Sequence, residues 1–252
     1  MDAISLIVRS DEFGLCHAAN QAICEGFEAG VVTCAALAVV GPWLAEAAGL
    51  IHEHPEWEIG LQLLLHCTTV GCRWGPAAGP AAVPSLVDAR GTFPPHLAEA
   101  ATPEDIIREL KAQVDRARLW GITPAFLEYH GAANTSVNDT LHALSEQVGV
   151  PTQMAGWDLQ SILNTDEAQP FEPLTALASL GPGVHLWIVR PAQSSPETWA
   201  LWPNEASAEH RHADAVGVCS PEVIGLIQRR GIELISFRQY AEARLGAAAE
   251  QE

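Results

Sequence analysis

The chain has 252 residues, of which 48% are hydrophobic, and this composition can bury a sizeable core, so wholesale disorder is excluded. Its 31 acidic residues outnumber its 13 basic residues, which gives a formal net charge of -18 at pH 7. Phosphate backbones and anionic lipid surfaces repel such a chain, so neither nucleic acid nor a membrane is expected as a partner.

Short apolar runs alternate with helical patterns along the chain. We predict strands at residues 4–8, 32–40, 59–65, 126–129, 150–154, 184–189 and 232–236. We predict helices at residues 16–29, 43–52, 102–120, 138–148, 221–230 and 238–248. The helix at 102–120 has the clearest signals, because Thr102 and Pro103 form a typical start and Gly121 a typical stop. Residues 71–95, rich in glycine and proline, are predicted to form a long irregular loop.

The alternation of strand and helix predicts an α/β fold with parallel pairing. Nearly continuous apolar strands indicate a sheet that is covered on both faces or closed into a barrel. About seven such units favour a distorted (β/α) TIM-barrel-like fold, as a single domain over residues 1–252 with the 71–95 loop as an insertion. A doubly wound open sheet is the rival, but no GxGxxG follows the first strand, which weighs against a dinucleotide fold.

The cellular location is predicted from the N-terminus and the cysteines. Residues 1–6 have no basic segment and no cleavage site, so they indicate a first strand and not a signal peptide. The longest apolar region, residues 31–51, contains Gly41-Pro42 and Glu46, so it does not predict a membrane span. The six cysteines form no CxxC pair. We therefore expect a cytoplasmic protein with reduced thiols.

Polar residues stand where the predicted strands end, and in a barrel these ends converge on one mouth. The candidates there are Asp11, Glu12, Gln62, His66, Glu128, His130 and Arg190. Two adjacent acids together with histidine suggest a divalent metal beside a general base.

Plainer structural explanations exist for several of these residues. The pair Asp11-Glu12 could cap the following helix, and His130 could be a satisfied loop histidine. Gln62 could be a hydrogen-bonding group inside the sheet, and Arg190 could form a structural ion pair as readily as a substrate clamp.

Several motifs resemble the YdjC/ChbG-like carbohydrate deacetylases. The chain reads D-E-F-G-L-C-H-A-A-N at residues 11–20, where that family opens with A-D-D-x-G. The likeness continues through G-V-V-T at 30–33, I-G-L-Q-L at 59–63, R-W-G-P at 73–76, F-L-E-Y-H at 126–130 and I-E-L-I-S-F-R at 232–238. The resemblance implies a (β/α)-barrel-like fold and the removal of acetyl groups from N-acetylated sugars with one divalent metal ion.

The resemblance also implies roles for individual residues. Asp11 matches the family's catalytic base, and Arg190 stands where the family has a later histidine, so it is the second catalytic candidate. The metal ligands would be Glu12, Gln62 and His130, which stand where the family has aspartate, histidine and histidine.

Other positions complete this implied site. Phe126 and Glu128 depart from the family's H-x-D-x-H pattern. His66, Trp74 and Glu128 are assigned to substrate binding. Because carboxylate and amide oxygens suit harder cations, manganese or magnesium would be as acceptable as zinc.

Three functions remain open from the sequence. The first is a divergent metal-dependent hydrolase acting on an N-acetylated sugar or a related amide, with Arg190 holding the developing oxyanion. The second is a barrel that binds a sugar or another small ligand without turnover. The third is a new acid–base reaction on the same site. Fold resemblance does not separate them. A small-molecule substrate, a sugar, is the expected partner, and a homodimer is one option for the oligomeric state.

Overall fold

The computed structural model describes residues 3–152, 159–164 and 172–249. These residues build a seven-stranded parallel sheet with helices between the strands. The strands are β1 (Ile4–Phe13), β2 (Cys34–Leu37), β3 (Ile59–Leu63), β4 (Leu127–Tyr129), β5 (Ser161–Asn164), β6 (Gly183–Val189) and β7 (Glu233–Leu234). The helices are α1 (His17–Glu28), α2 (Leu44–Glu53), α3 (Pro103–Leu119), α4 (Thr135–Val148), α5 (Pro173–Ser179), α6 (Pro196–Leu201), α7 (Glu205–Cys219), α8 (Pro221–Arg230) and α9 (Phe237–Ala249).

The order of the strands distinguishes a barrel from a doubly wound sheet. The order is β4-β3-β2-β1-β6-β5, with β7 paired to β1. The chain moves outward from β1 to β4, resumes at the opposite edge with β5, and returns to β1 through β6. A doubly wound sheet would instead resume beside β1 and move outward again. The described sheet therefore has the strand order of a curled, barrel-like sheet, and the predicted fold class is confirmed.

Helix α3 shows how local sequence sets an element's ends. The Thr102 hydroxyl accepts a hydrogen bond from the Asp105 N–H, and Pro103 occupies the first helical position. Gly121 has a φ of 72°, which a residue with a side chain rarely adopts, so the helix ends before it. The predicted helix at 102–120 is confirmed.

Other predicted elements differ from the structure. The predicted strands at 32–40 and 59–65 shorten to β2 and β3. Of the predicted strand at 150–154, Thr152 forms an isolated bridge with Leu127, and residues 153 and 154 lie outside the described residues. Strand β5 and helices α5, α6 and α7 were not predicted. In α7 small and charged residues are intermixed, so its sequence lacks a clear apolar stripe.

The loop at 71–95 is irregular apart from one short 3₁₀ turn, Pro84–Leu86, and the prediction for it is confirmed. Helix α3 holds this loop through two acids. The Glu109 carboxylate accepts hydrogen bonds from the backbone N–H groups of Ala77 and Ala78, each at 2.9 Å. Asp105 accepts from both the N–H and the hydroxyl of Ser85. The loop thus obtains from a helix the hydrogen bonds that a strand would obtain from its neighbour.

The main hydrophobic core packs β1 to β4 against α2, α3, α4 and the loop, and it includes Phe13, Leu37, Leu61 and Phe93.

Within the described ranges, no helix is both long and apolar enough to cross a membrane. The six cysteines are free thiols. The assignment of residues 1–252 to one domain stays a prediction.

Candidate active site

The carboxyl ends of β1, β3 and β4 bring most of the predicted residues together. Gln62 and Glu128 lie opposite each other in the β3–β4 ladder. The Glu12 N–H donates to Gln62 Oε1 at 3.0 Å. Gln62 Nε2 lies 3.3 Å from His130 Nδ1, just beyond β4. These contacts place β1, β3 and β4 around one polar centre, as the positions at the strand ends predicted.

Arg9 is the centre of the first ion cluster, and sequence reasoning gave it no role. Its Nε lies 2.6 Å from Asp11 Oδ1, and its Nη2 lies 3.0 Å from Asp11 Oδ2. The same Nη2 is 3.4 Å from Glu128 Oε2. All three side chains are at least 95% buried. Asp11, the predicted base, therefore uses both carboxylate oxygens on a guanidinium.

Glu12 takes part in a second ion cluster. Arg211, on α7, donates from Nη2 to Glu12 Oε1 at 2.9 Å and from Nε to Glu12 Oε2 at 3.2 Å. The Arg211 guanidinium carbon lies 3.9 Å from the centre of the Trp202 ring. This buried, two-pronged pair fixes the Glu12 carboxylate at the α7 side of the mouth.

The backbone explains how adjacent acids serve two clusters. The β1–β2 register shifts between Ser10 and Phe13, and Glu12 has a φ of 72°. Among the described residues, no other residue except glycines has a positive φ. Such a conformation costs about 1–3 kcal/mol and is kept where the surroundings impose it. The irregularity changes the direction in which the side chains at the end of β1 point, as β-bulges beside active sites do.

The electrostatic environment changes the acidity of the groups in the mouth. Burial raises the pKa of Glu128 to about 7, and Arg9 partly opposes this increase. Burial also lowers the pKa of His130, and the nearby Arg190 guanidinium lowers it further. Arg190 follows β6, and its backbone N–H donates to Asp214 Oδ2 at 2.8 Å. A carboxyl group with a pKa near 7 can both accept and return a proton at neutral pH.

The implied metal ligands Glu12, Gln62 and His130 do not fit a divalent cation in this arrangement. Both Glu12 oxygens are bonded to Arg211, and Gln62 uses its oxygen on the Glu12 N–H. The Gln62 group that faces His130 is its NH₂, which donates and does not coordinate metals.

A different set of side chains, Asp11, Glu128 and His130, has ligand-type atoms within 4.8 Å of one another. However, Arg9 already contacts both of these acids. The Arg9 guanidinium is therefore already the cationic partner of both acids of this set.

The remaining predicted residues lie apart from this centre. The His66 ring stacks on His130, with ring centroids 5.7 Å apart, and borders a cavity of about 340 Å³ beside the mouth. Trp74 is 6% exposed and packs in the main core, so the structure does not place it in that cavity. The roles of His66, Trp74 and Glu128 in substrate binding stay predictions.

Sequence reasoning missed two functional candidates, Arg9 and Arg211. Arg9 had a signal, because it precedes Asp11 by two residues and residues two apart on a strand share a face. Arg211 had none, because its helix was not predicted and it lies 199 residues from Glu12.

The curled parallel sheet, with buried acids and a histidine at the carboxyl ends of its strands, places the chain in the class of (β/α) barrel-like proteins. Residues 5–229 match the sequence model of the YdjC-like protein family, so the chain belongs to that family, and the predicted resemblance is confirmed.

The chain is similar to a carbohydrate deacetylase of Geobacillus stearothermophilus, at 36% identity over 150 residues, which are 58% of this chain and 57% of that protein. A carbohydrate deacetylase of Brevibacillus brevis is 34% identical over 155 residues, 60% of this chain and 59% of that protein. The match thus spans less than two thirds of these relatives.

Among solved structures, a candidate cellobiose-phosphate cleavage protein of Enterococcus faecalis V583 has a TM-score of 0.77 at 23% identity, over 94% of this chain and 99% of that one. This likeness shows the shared fold.

Proposed function

We propose that this chain is a hydrolase that removes the acetyl group from an N-acetylated sugar or a related amide. Its family and the names of its curated relatives support this activity. The observation that carries the proposal is Glu128, whose Oε1 is buried and has no hydrogen-bond partner among the described residues. A buried carboxylate oxygen of this kind is suited to take a proton from an attacking water.

The proposed reaction uses the chain's own acids and guanidinium groups. Glu128 Oε1 accepts a proton from the water whose oxygen attacks the amide carbonyl. The C–N bond then breaks, and the same proton passes to the leaving amine nitrogen. The products are the free amine and acetic acid, which releases its remaining hydroxyl proton to solvent and becomes acetate. Arg9 holds the other Glu128 oxygen at 3.4 Å, and Arg190 provides a fixed positive donor for the developing oxyanion.

Asp11 remains the second candidate for the base. To accept a proton it would have to give up part of its two-pronged bond with Arg9, which favours Glu128 in this role. The proposed reaction uses no divalent metal, because the implied ligands Glu12 and Gln62 are already bonded to Arg211 and to each other. A single domain over residues 1–252 and a cytoplasmic location are part of the same proposal.

The test is acetate release from a panel of N-acetylated mono- and disaccharides, with and without a metal chelator. We expect release that the chelator does not reduce. Glu128→Gln should lower turnover by roughly 100-fold or more, and Asp11→Asn should lower it less. No acetate from the parent would refute the hydrolase, and a larger loss in Asp11→Asn would return the base to Asp11.

Ligand binding without turnover is the second candidate function. It is favoured by the two closed ion pairs, in which Arg9 and Arg211 occupy the carboxylates of Asp11 and Glu12. Sugar binding without acetate release would identify this function.

A further inference from the structure

The cavity beside the mouth contains two buried polar atoms that the fold leaves without partners. Its lining includes His66, His96, Tyr129, Gly131 and Asn134. Among the described residues, neither His66 Nδ1 nor the Tyr129 hydroxyl has a hydrogen-bond partner. Tyr129 is 93% buried, so this orphaned hydroxyl is costly unless a ligand or solvent satisfies it.

Gly131 opens the space that these two atoms share. A methyl group placed on Gly131 would lie 3.3 Å from His66 Nδ1 and 3.5 Å from the Tyr129 hydroxyl. It would also lie 2.7 Å from His66 Cε1, so any side chain would close this space. We call the space between His66, Tyr129 and Gly131 the Gly131 hollow. Both orphaned groups therefore border the same small volume beside Gly131.

The chemistry of the hollow selects a hydroxyl group. A ligand hydroxyl can donate to an unprotonated imidazole nitrogen and accept from a phenol at the same time. A neutral ring has one nitrogen free to accept.

The size of the cavity limits the ligand. About 340 Å³ is near the lower end of the roughly 300–1,000 Å³ typical of small-molecule sites. This volume suits one sugar ring and not an extended chain. The cavity borders His66, whose ring stacks on His130. Since His130 lies beside Asp11 and Glu128, a sugar in the cavity would be close to these carboxylates.

We propose that this cavity is a subsite for one sugar ring and that a ring hydroxyl enters the Gly131 hollow to bond both His66 and Tyr129. The inference rests on the proposed function for the sugar class of the substrate. It adds the subsite and its two hydrogen-bonding residues.

The test measures binding of N-acetylglucosamine by calorimetry and by saturation-transfer NMR, with acetamide as the probe that lacks the ring. Tyr129→Phe should weaken N-acetylglucosamine binding by roughly 10-fold, because one buried hydrogen bond is lost. Gly131→Ala should abolish binding by filling the hollow. Gly149→Ala is the matched control, because Gly149 also has a positive φ, of 76°, but no atom lies near its added methyl.

Three results would overturn the subsite: no binding of N-acetylglucosamine to the parent, parent-like binding in Tyr129→Phe, or equal damage from Gly149→Ala and Gly131→Ala. Acetate release separates this inference from the proposed function. The expected binding pattern without acetate release supports the subsite and refutes the hydrolase. Release with an unchanged KM in Tyr129→Phe overturns the subsite and leaves the hydrolase standing.

Discussion

Replacing Arg211 with methionine tests whether the buried pair with Glu12 holds the mouth together. The side chains of Arg211 and Glu12 are only 6% and 3% exposed. Methionine keeps most of the volume of arginine, so the change removes the charge and the hydrogen bonds while largely preserving the packing. Glu12 would then be a buried carboxylate without its cationic partner.

The expected loss of stability follows from this burial. Removing one partner of a buried ion pair costs about 3–5 kcal/mol, because the other charge stays buried and uncompensated. The contact of Arg211 with the Trp202 ring is lost as well. For a chain of this size, each kcal/mol corresponds to roughly 2–4 °C, so Tm should fall by roughly 6–20 °C.

The assay is urea unfolding followed by circular dichroism, with a double-mutant cycle. Glu12→Gln combined with Arg211→Met should recover about 2 kcal/mol relative to the sum of the single variants. Arg118→Met is the matched control, since the Arg118–Asp115 pair is exposed and its loss should cost less than about 1 kcal/mol. If Arg211→Met were as mild as this control, or if the cycle were additive, the reasoning on the buried pair would be refuted.

Two further predictions concern metal binding and pH. Gln62→His alone should not create a metal site, because Arg211 still holds Glu12. Gln62→His combined with Arg211→Met should bind manganese, which a rise in Tm and calorimetry would detect. Manganese uptake by the single variant would contradict this prediction. Burial raises the pKa of Glu109, so the folded state binds its proton more tightly than the unfolded state, and the stability from this group is present in acid and lost as pH rises through the folded pKa. The parent should therefore gain more stability than Glu109→Gln between about pH 7 and pH 5, in urea unfolding at both pH values; equal gains would refute this role of Glu109.

The sequence predicted the fold class and the meeting of polar residues at one mouth, because both depend on local pattern. Apolar runs identify buried strands, and polar residues at their carboxyl ends must meet at one mouth. The placement of Gln62 next to His130 follows from this rule alone. Strand lengths were less predictable, since apolar residues continue past β2 and β3 into the core without pairing.

The ion pairs of the site could not be predicted in the same way. The contact between Glu12 and Arg211 joins residues 199 positions apart, and it depends on a helix with no clear apolar stripe. The irregular backbone at Glu12 turns neighbouring acids toward different arginines. The sequence does not indicate this irregularity, because a positive φ is expected at glycine and here the residue is glutamate.

The carboxylates of α3 have a consequence for how the specificity of this fold can change. Residues 96–99 line the cavity, and they lie between the loop that Glu109 and Asp105 fasten and the start of α3 itself. The part of the cavity wall formed by residues 96–99 is therefore held in place by helix α3, whereas the reactive acids belong to the sheet. Substitutions in the loop or its anchors can reshape what enters the mouth while the geometry of the acids is conserved, so recognition and chemistry can diverge separately in this lineage.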